Sequence, residues 1–132
     1  MKKLLTILLA ALTAFTLACG YSSKSAAPAT AGTMPAISEL TPDNMNAGGA
    51  AFVLTVNGSD FSSKATINWD GTALTTTQVS ANQLMATVPA ADIATSATVP
   101  LTVTNPAVAG TGIYGADGTM AETSTAMNFT VN

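Results

Sequence analysis

Residues 57–71, NGSDFSSKATINWDG, gather side chains that could do chemistry: Asp60 and Asp70, the hydroxyls of Ser59, Ser62 and Ser63, and the only tryptophan, Trp69. A serine nucleophile needs a general base, and the 132 residues contain no histidine. A Ser-His-Asp relay, an imidazole base and a histidine-bearing metal site are therefore excluded together. The single cysteine, Cys19, excludes a thiolate zinc cluster and an internal disulfide. Asp43, Asp60, Asp70, Asp92 and Asp117 stand singly in different segments, without the D-x-D-x-D or bidentate-Glu spacing by which one loop wraps calcium. Glycoside hydrolysis would need two carboxyls about 5–9.5 Å apart in a cleft, and a domain this small has little room for one. The expectation is a noncatalytic protein with no catalytic residue, metal or cofactor. In that reading Asp70 makes a turn and Trp69 fills a core.

Charge narrows the partners. Four basic residues stand against seven acidic ones, for a formal charge of −3. A phosphate backbone demands the opposite sign, so nucleic acid is not an expected partner.

The first nineteen residues, MKKLLTILLAALTAFTLAC, open with Lys2 and Lys3 and continue through an uncharged run from Leu4 to Ala18. That run is short for a membrane span of about 20 apolar residues and suits a signal peptide, which places residues 1–18 outside the fold. Cys19 after a small residue, Ala18, resembles the lipid-attachment box of bacterial lipoproteins. The resemblance implies that the thiol takes a diacylglyceryl group and that cleavage leaves Cys19 as the acylated N-terminus. Thr16 and Leu17 depart from that family's pattern, which has Leu three places before the cysteine and a small residue two before it. The alternative is ordinary cleavage near residues 18–27 and a secreted product. A cysteine with no partner in an oxidising compartment otherwise lacks a purpose. The resemblance places the protein in the bacterial cell envelope, bound to a membrane through its N-terminal lipid. Gly20 in place of Asp is compatible with the outer membrane. Removal of residues 1–18 leaves Lys24 and Lys64 against seven acids, a formal −5, so the lipid and not surface charge would hold the chain to an anionic membrane.

Gly20 to Met34, GYSSKSAAPATAGTM, is small and polar with no hydrophobic period, and with Cys19 it reads as a flexible tether over 19–34. From Pro35 onward the pattern changes. Phe52, Leu54 and Val56 alternate with polar or smaller residues, as do Ala65, Ile67 and Trp69, then Leu84, Ala86 and Val88, then Val99, Leu101 and Val103, and last Met127, Phe129 and Val131. Five runs of period two are five half-buried strands. Ile37–Leu40 adds a first strand and Thr72–Thr77 a short edge strand. Asn57-Gly58, Asp70-Gly71 and Asp117-Gly118 suit turns with positive φ, and Asp70-Gly71 sits between two strands as a hairpin signal. About seven short strands over residues 35–132, with no helical stripe, predict an all-β protein of immunoglobulin-like sandwich architecture. Its core is expected to hold Trp69, Phe52, Phe61 and Phe129.

The markers Pro35-Ala36-Ile37, Leu40-Thr41-Pro42, Gly48-Gly49, the run from Phe52 to Phe61, Ile67-Asn68-Trp69-Asp70-Gly71, Ala86-Thr87-Val88-Pro89-Ala90, Val103-Thr104-Asn105-Pro106 and Phe129-Thr130-Val131 together resemble the bacterial IPT/TIG domains. The resemblance spans residues 35–132. It implies a spacer or interaction module, with an envelope protein or a glycan as partner, the glycan-binding or adhesin role being the alternative. In the reading of Gly58-x-x-Phe61, the glycine turns the chain and Phe61 folds back onto the sandwich edge. One departure is the length of Ala107 to Ser124, AVAGTGIYGADGTMAETS, which joins the last two strands at one end of the sandwich. Loops there commonly carry recognition. Ile113, Tyr114 and Asp117 are therefore candidates for a contact loop, against the plainer reading that Ile113 and Tyr114 cover the sheet end.

Overall fold

The computed structural model describes residues 29–111 and 118–132. The signal segment, Cys19 and most of the tether lie outside the described residues, as do Ile113, Tyr114 and Asp117.

Seven strands of four or more residues carry the fold: β1 (Ala36–Thr41), β3 (Phe52–Ser59), β4 (Thr66–Trp69), β6 (Thr76–Ser80), β7 (Gln83–Val88), β8 (Ala97–Asn105) and β10 (Met127–Val131). Three two-residue strands, β2 (Asn44–Met45), β5 (Thr72–Ala73) and β9 (Glu122–Thr123), extend the edges. One sheet runs β1-β3-β7-β6. The other runs β2-β10-β8-β4-β5, with β9 also paired to β8. This is the expected all-β sandwich, and the alternating residues account for it. Leu54 and Val56 of β3, Leu84, Ala86 and Val88 of β7, Ile67 and Trp69 of β4, Val99, Leu101 and Val103 of β8, and Phe129 and Val131 of β10 are all buried between the layers. Each strand turns every second side chain inward, so period two in sequence becomes one dry face per sheet.

Three aromatic rings meet at the centre. Trp69 and Phe129 are buried, with ring centroids 5.0 Å apart. Phe52, half-buried at the start of β3, stacks on Phe129 at 5.6 Å and meets Trp69 edge-on at 6.5 Å. Phe61 is buried apart from this trio, at the far end of β3.

The segment Thr72–Thr77 is not one strand. Thr72–Ala73 pairs with β4 in one sheet, while Thr76–Ser80 pairs with β7 in the other. The chain crosses between layers at Leu74, whose side chain is buried and whose N–H donates to the Ile67 carbonyl at 2.8 Å. Thr76 secures the crossing, its Oγ1 accepting from Ile67 N at 2.9 Å and donating to the Leu74 carbonyl at 3.0 Å. Asp70 and Gly71 both take positive φ, +46° and +80°, the conformation of a two-residue hairpin turn between β4 and β5.

Gly58 plays a different part from the one expected. It lies inside β3, paired to Ile37, and the residue with positive φ is Asp60, at +60°. A Cβ at position 58 would overlap the Ala36 carbonyl oxygen and stand 2.6 Å from the Phe61 ring. The missing side chain lets β1 approach closely and lets Phe61 fold over the strand. Gly58→Ala should therefore destabilise the domain by about 1–3 kcal/mol, the range for overpacking a well-filled site. Chemical denaturation checks this, and an unchanged midpoint would show that the β1–β3 contact has room to spare.

The tether ends earlier than residue 34. Thr30 bridges Thr119 in parallel register, its N–H donating to the Gly118 carbonyl at 3.0 Å and its carbonyl accepting from Met120 N at 2.9 Å. Thr30 and Thr33 are held to the folded unit through their backbone groups, Thr33 by its carbonyl accepting from Asn105 Nδ2 at 2.8 Å.

Candidate functional site

Both ends of the sandwich are closed by loops, but they differ. At one end Ile93, on a short 3-10 turn (Ala90–Ile93), plugs the core, and Gly48 N donates to the Ile93 carbonyl at 2.7 Å. The other end collects the irregular chain: the N-terminal segment, the β3–β4 loop and the connection after β8.

Asn105 organises that end. It occupies the last position of β8 and continues the inward series of Val99, Leu101 and Val103, so its amide is buried. Its Oδ1 accepts from Ser62 N at 2.9 Å. Its Nδ2 donates to the Thr33 carbonyl and to the Asp60 carbonyl, both at 2.8 Å. One side chain of β8 thus ties the N-terminal segment to the β3–β4 loop, and both amide hydrogens have acceptors within the protein. Asn105 is a brace.

Ser124 does similar work at the other side of β8. Its Oγ accepts from Val103 N and donates to the Thr125 carbonyl, each at 2.9 Å, and its N–H donates to the Val103 carbonyl at 2.8 Å. The connection after β8 is built into the sheet at its base. Val108 and Thr119 exchange two backbone hydrogen bonds, 2.9 and 3.0 Å, and Glu122–Thr123 pairs with Thr104–Asn105. Both flanks of the Ala107–Ser124 connection are thus paired, and Ile113, Tyr114 and Asp117 lie outside the described residues.

Between these braced segments lies a pocket of about 330 Å³ bordered by Thr33, Asp60, Ser62, Asn105, Val108 and Met120. A neighbouring one of about 310 Å³ shares Ser62 and Val108 and reaches Lys64. Ser62 Oγ is buried and has no hydrogen-bond partner among the described residues, although a hydroxyl can both donate and accept. The pair of pockets can accommodate a small polar group. Among the described residues no three His, Cys, Asp or Glu side chains come together.

The opening stretch of interest is thus split by the fold. Asp60 and Ser62 belong to this end, whereas Trp69 and Asp70 sit toward the other end of β4, where Asp70 N donates to the Pro100 carbonyl at 3.1 Å. In the sequence Ser62 stands among hydroxyls without a base and Asn105 within the Val103-Thr104-Asn105-Pro106 marker, and neither is a candidate contact residue there. For Asn105 a signal was present: a polar residue on the inward parity of a strand must find buried partners.

Compared with known proteins, the chain matches the family model described as IPT/TIG domain over residues 35–120. The strand β10 lies past the matched span and completes the sheet between β2 and β8. No curated protein matches the chain. Among solved structures, the chain is similar to one described as a "Putative phosphatase" from Bacteroides thetaiotaomicron VPI-5482, with 23% identity and a TM-score of 0.46. The match covers 78% of this chain and 20% of that one, so the chain spans about a fifth of that protein's length.

Proposed function

The chain belongs to the IPT/TIG domain family, and from that premise we propose that it is a noncatalytic structural or interaction module of the bacterial cell envelope, held to a membrane by a lipid on Cys19. Contact is made through the elaborated end of the sandwich, where the flanks of the Ala107–Ser124 connection pair. The observation that supports this is the bracing by Asn105: the N-terminal segment and the β3–β4 loop are both fixed to the end of β8 by hydrogen bonds at a single end, as a presented surface requires. A glycan-binding platform is less well supported. It would call for rings left free to stack on sugars, while Trp69, Phe61 and Phe129 are buried and Phe52 is packed against the core.

Two linked measurements test the proposal. Mass spectrometry of the mature N-terminus should find Cys19 as the acylated first residue, and Cys19→Ser should release the protein from the membrane fraction. The double variant Ile113→Ser/Tyr114→Ser should fold normally and lose partner or surface binding. An unmodified N-terminus between residues 18 and 27 would remove the anchor, and full binding by the double variant would remove the contact loop.

A further inference from the structure

Among the described residues, five large apolar side chains stand more than half exposed: Met34 at 55%, Val53 at 51%, Val79 at 54%, Val108 at 58% and Met120 at 52%. Four of them are at the Asn105 end. Val108 pairs with Thr119, Met120 follows it and bonds Thr30, Met34 follows the Thr33 held by Asn105, and Val79 lies at the foot of β6. The opposite end carries Asp43, Asp70, Asp92 and the C-terminal residue Asn132, next to Ala47. Exposed apolar side chains are therefore concentrated at one end of the strands, while acidic side chains stand at both.

The tether arrives at the apolar end. Thr30 is fixed against Gly118, Thr119 and Met120, which leaves eleven residue steps back to Cys19. Such a length reaches at most about 36–40 Å when extended and roughly 17–20 Å as a flexible coil.

Resting on the reading that Cys19 carries a lipid, we propose that the partner of this end is the bilayer itself. Met34, Val108 and Met120 enter the headgroup zone, and the sandwich stands on the membrane with its Ile93 end outward. A short tether keeps the patch at high local concentration near the lipid, so a small apolar area suffices for contact. Electrostatic attraction does not drive it, because this end carries Asp60 and Glu122 against Lys64. Salt therefore does not weaken the contact, and anionic lipid does not strengthen it.

The test uses the full mature chain in vesicles of zwitterionic phosphatidylcholine containing lipids with a quencher near the headgroup. Because acylation blocks Cys19, a second cysteine can be labelled alone. A fluorophore on Val108→Cys should be quenched, and one on the exposed Thr72→Cys at the other end should not. Quenching at 108 should persist in high salt and should not increase when anionic phosphatidylglycerol is added. It should be lost when Met34→Ser and Met120→Ser are combined with the label, although the chain remains in the membrane fraction. Equal quenching at both positions, or none at 108 in a chain whose lipid is confirmed by mass, would overturn the orientation while leaving the anchor intact. A mature N-terminus without lipid would instead overturn the anchor, and the orientation with it.

Discussion

Replacing Trp69 with alanine should lower the unfolding free energy by about 3–5 kcal/mol, the range for removing a buried large aromatic. The ring is buried at the end of β4, which lies between β8 and the two-residue edge strand β5, and it meets two other aromatics, Phe129 at 5.0 Å and Phe52 at 6.5 Å. The substitution thus removes ring–ring contacts, worth about 0.5–1.5 kcal/mol beyond burial, and leaves a void between layers that β8 and β3 cannot both move to fill. Against a total of about 5–15 kcal/mol for a typical domain, the loss is severe. No disulfide ties the layers together, since the chain has one cysteine. Trp69→Phe should cost much less, because a ring remains in the site. Urea denaturation of the three proteins gives the comparison. A loss below about 1 kcal/mol for the alanine variant would mean that the site collapses freely or that the ring does not pack as described.

The second large effect is expected at Asn105. Asn105→Leu keeps the volume but leaves Ser62 N, the Thr33 carbonyl and the Asp60 carbonyl without their partner. Each buried group left unsatisfied costs about 1–3 kcal/mol. Water from the adjacent pocket can recover part of that, so a net loss of about 3 kcal/mol is expected. Its signature differs from that of Trp69→Ala. Hydrogen exchange should quicken first at Ser62, Thr30 and Met120, whose amides belong to the braced segments, while β3 and β7 stay protected. Uniform loss of protection across both sheets would show that Asn105 supports the whole core and not one end.

How far the sequence foretells these features depends on the kind of force involved. Burial by alternation is local, so Leu54 and Val56, Ile67 and Trp69, or Leu84 and Val88 announce their strands and inward faces directly. The layer switch at Leu74 is not local in this sense. Thr72 to Thr77 is β-prone throughout, and only the Thr76 hydroxyl reaching Ile67 N, nine residues back, decides that the segment leaves one sheet for the other. Gly58 shows the same limit. An Asn-Gly pair suggests a turn, yet here the strand continues, because the glycine is needed for the approach of Ala36 and Phe61. The docking of Thr30 on Thr119 joins residues 89 apart in the chain through backbone groups alone, which any residue types could supply. Among the candidate contacts, the pocket around Ser62 arises where three separated segments converge, and no stretch of sequence contains it.

The functional account depends on a rigid two-layer scaffold that presents one braced end. As the only tryptophan, Trp69 reports on that scaffold without ambiguity. Its intrinsic fluorescence in the native mature protein should be blue-shifted and shielded from acrylamide, moving to the emission of free indole in water in a single cooperative step on unfolding. Native emission already at the solvent-exposed position, quenched freely and unchanged by denaturant, would contradict the account.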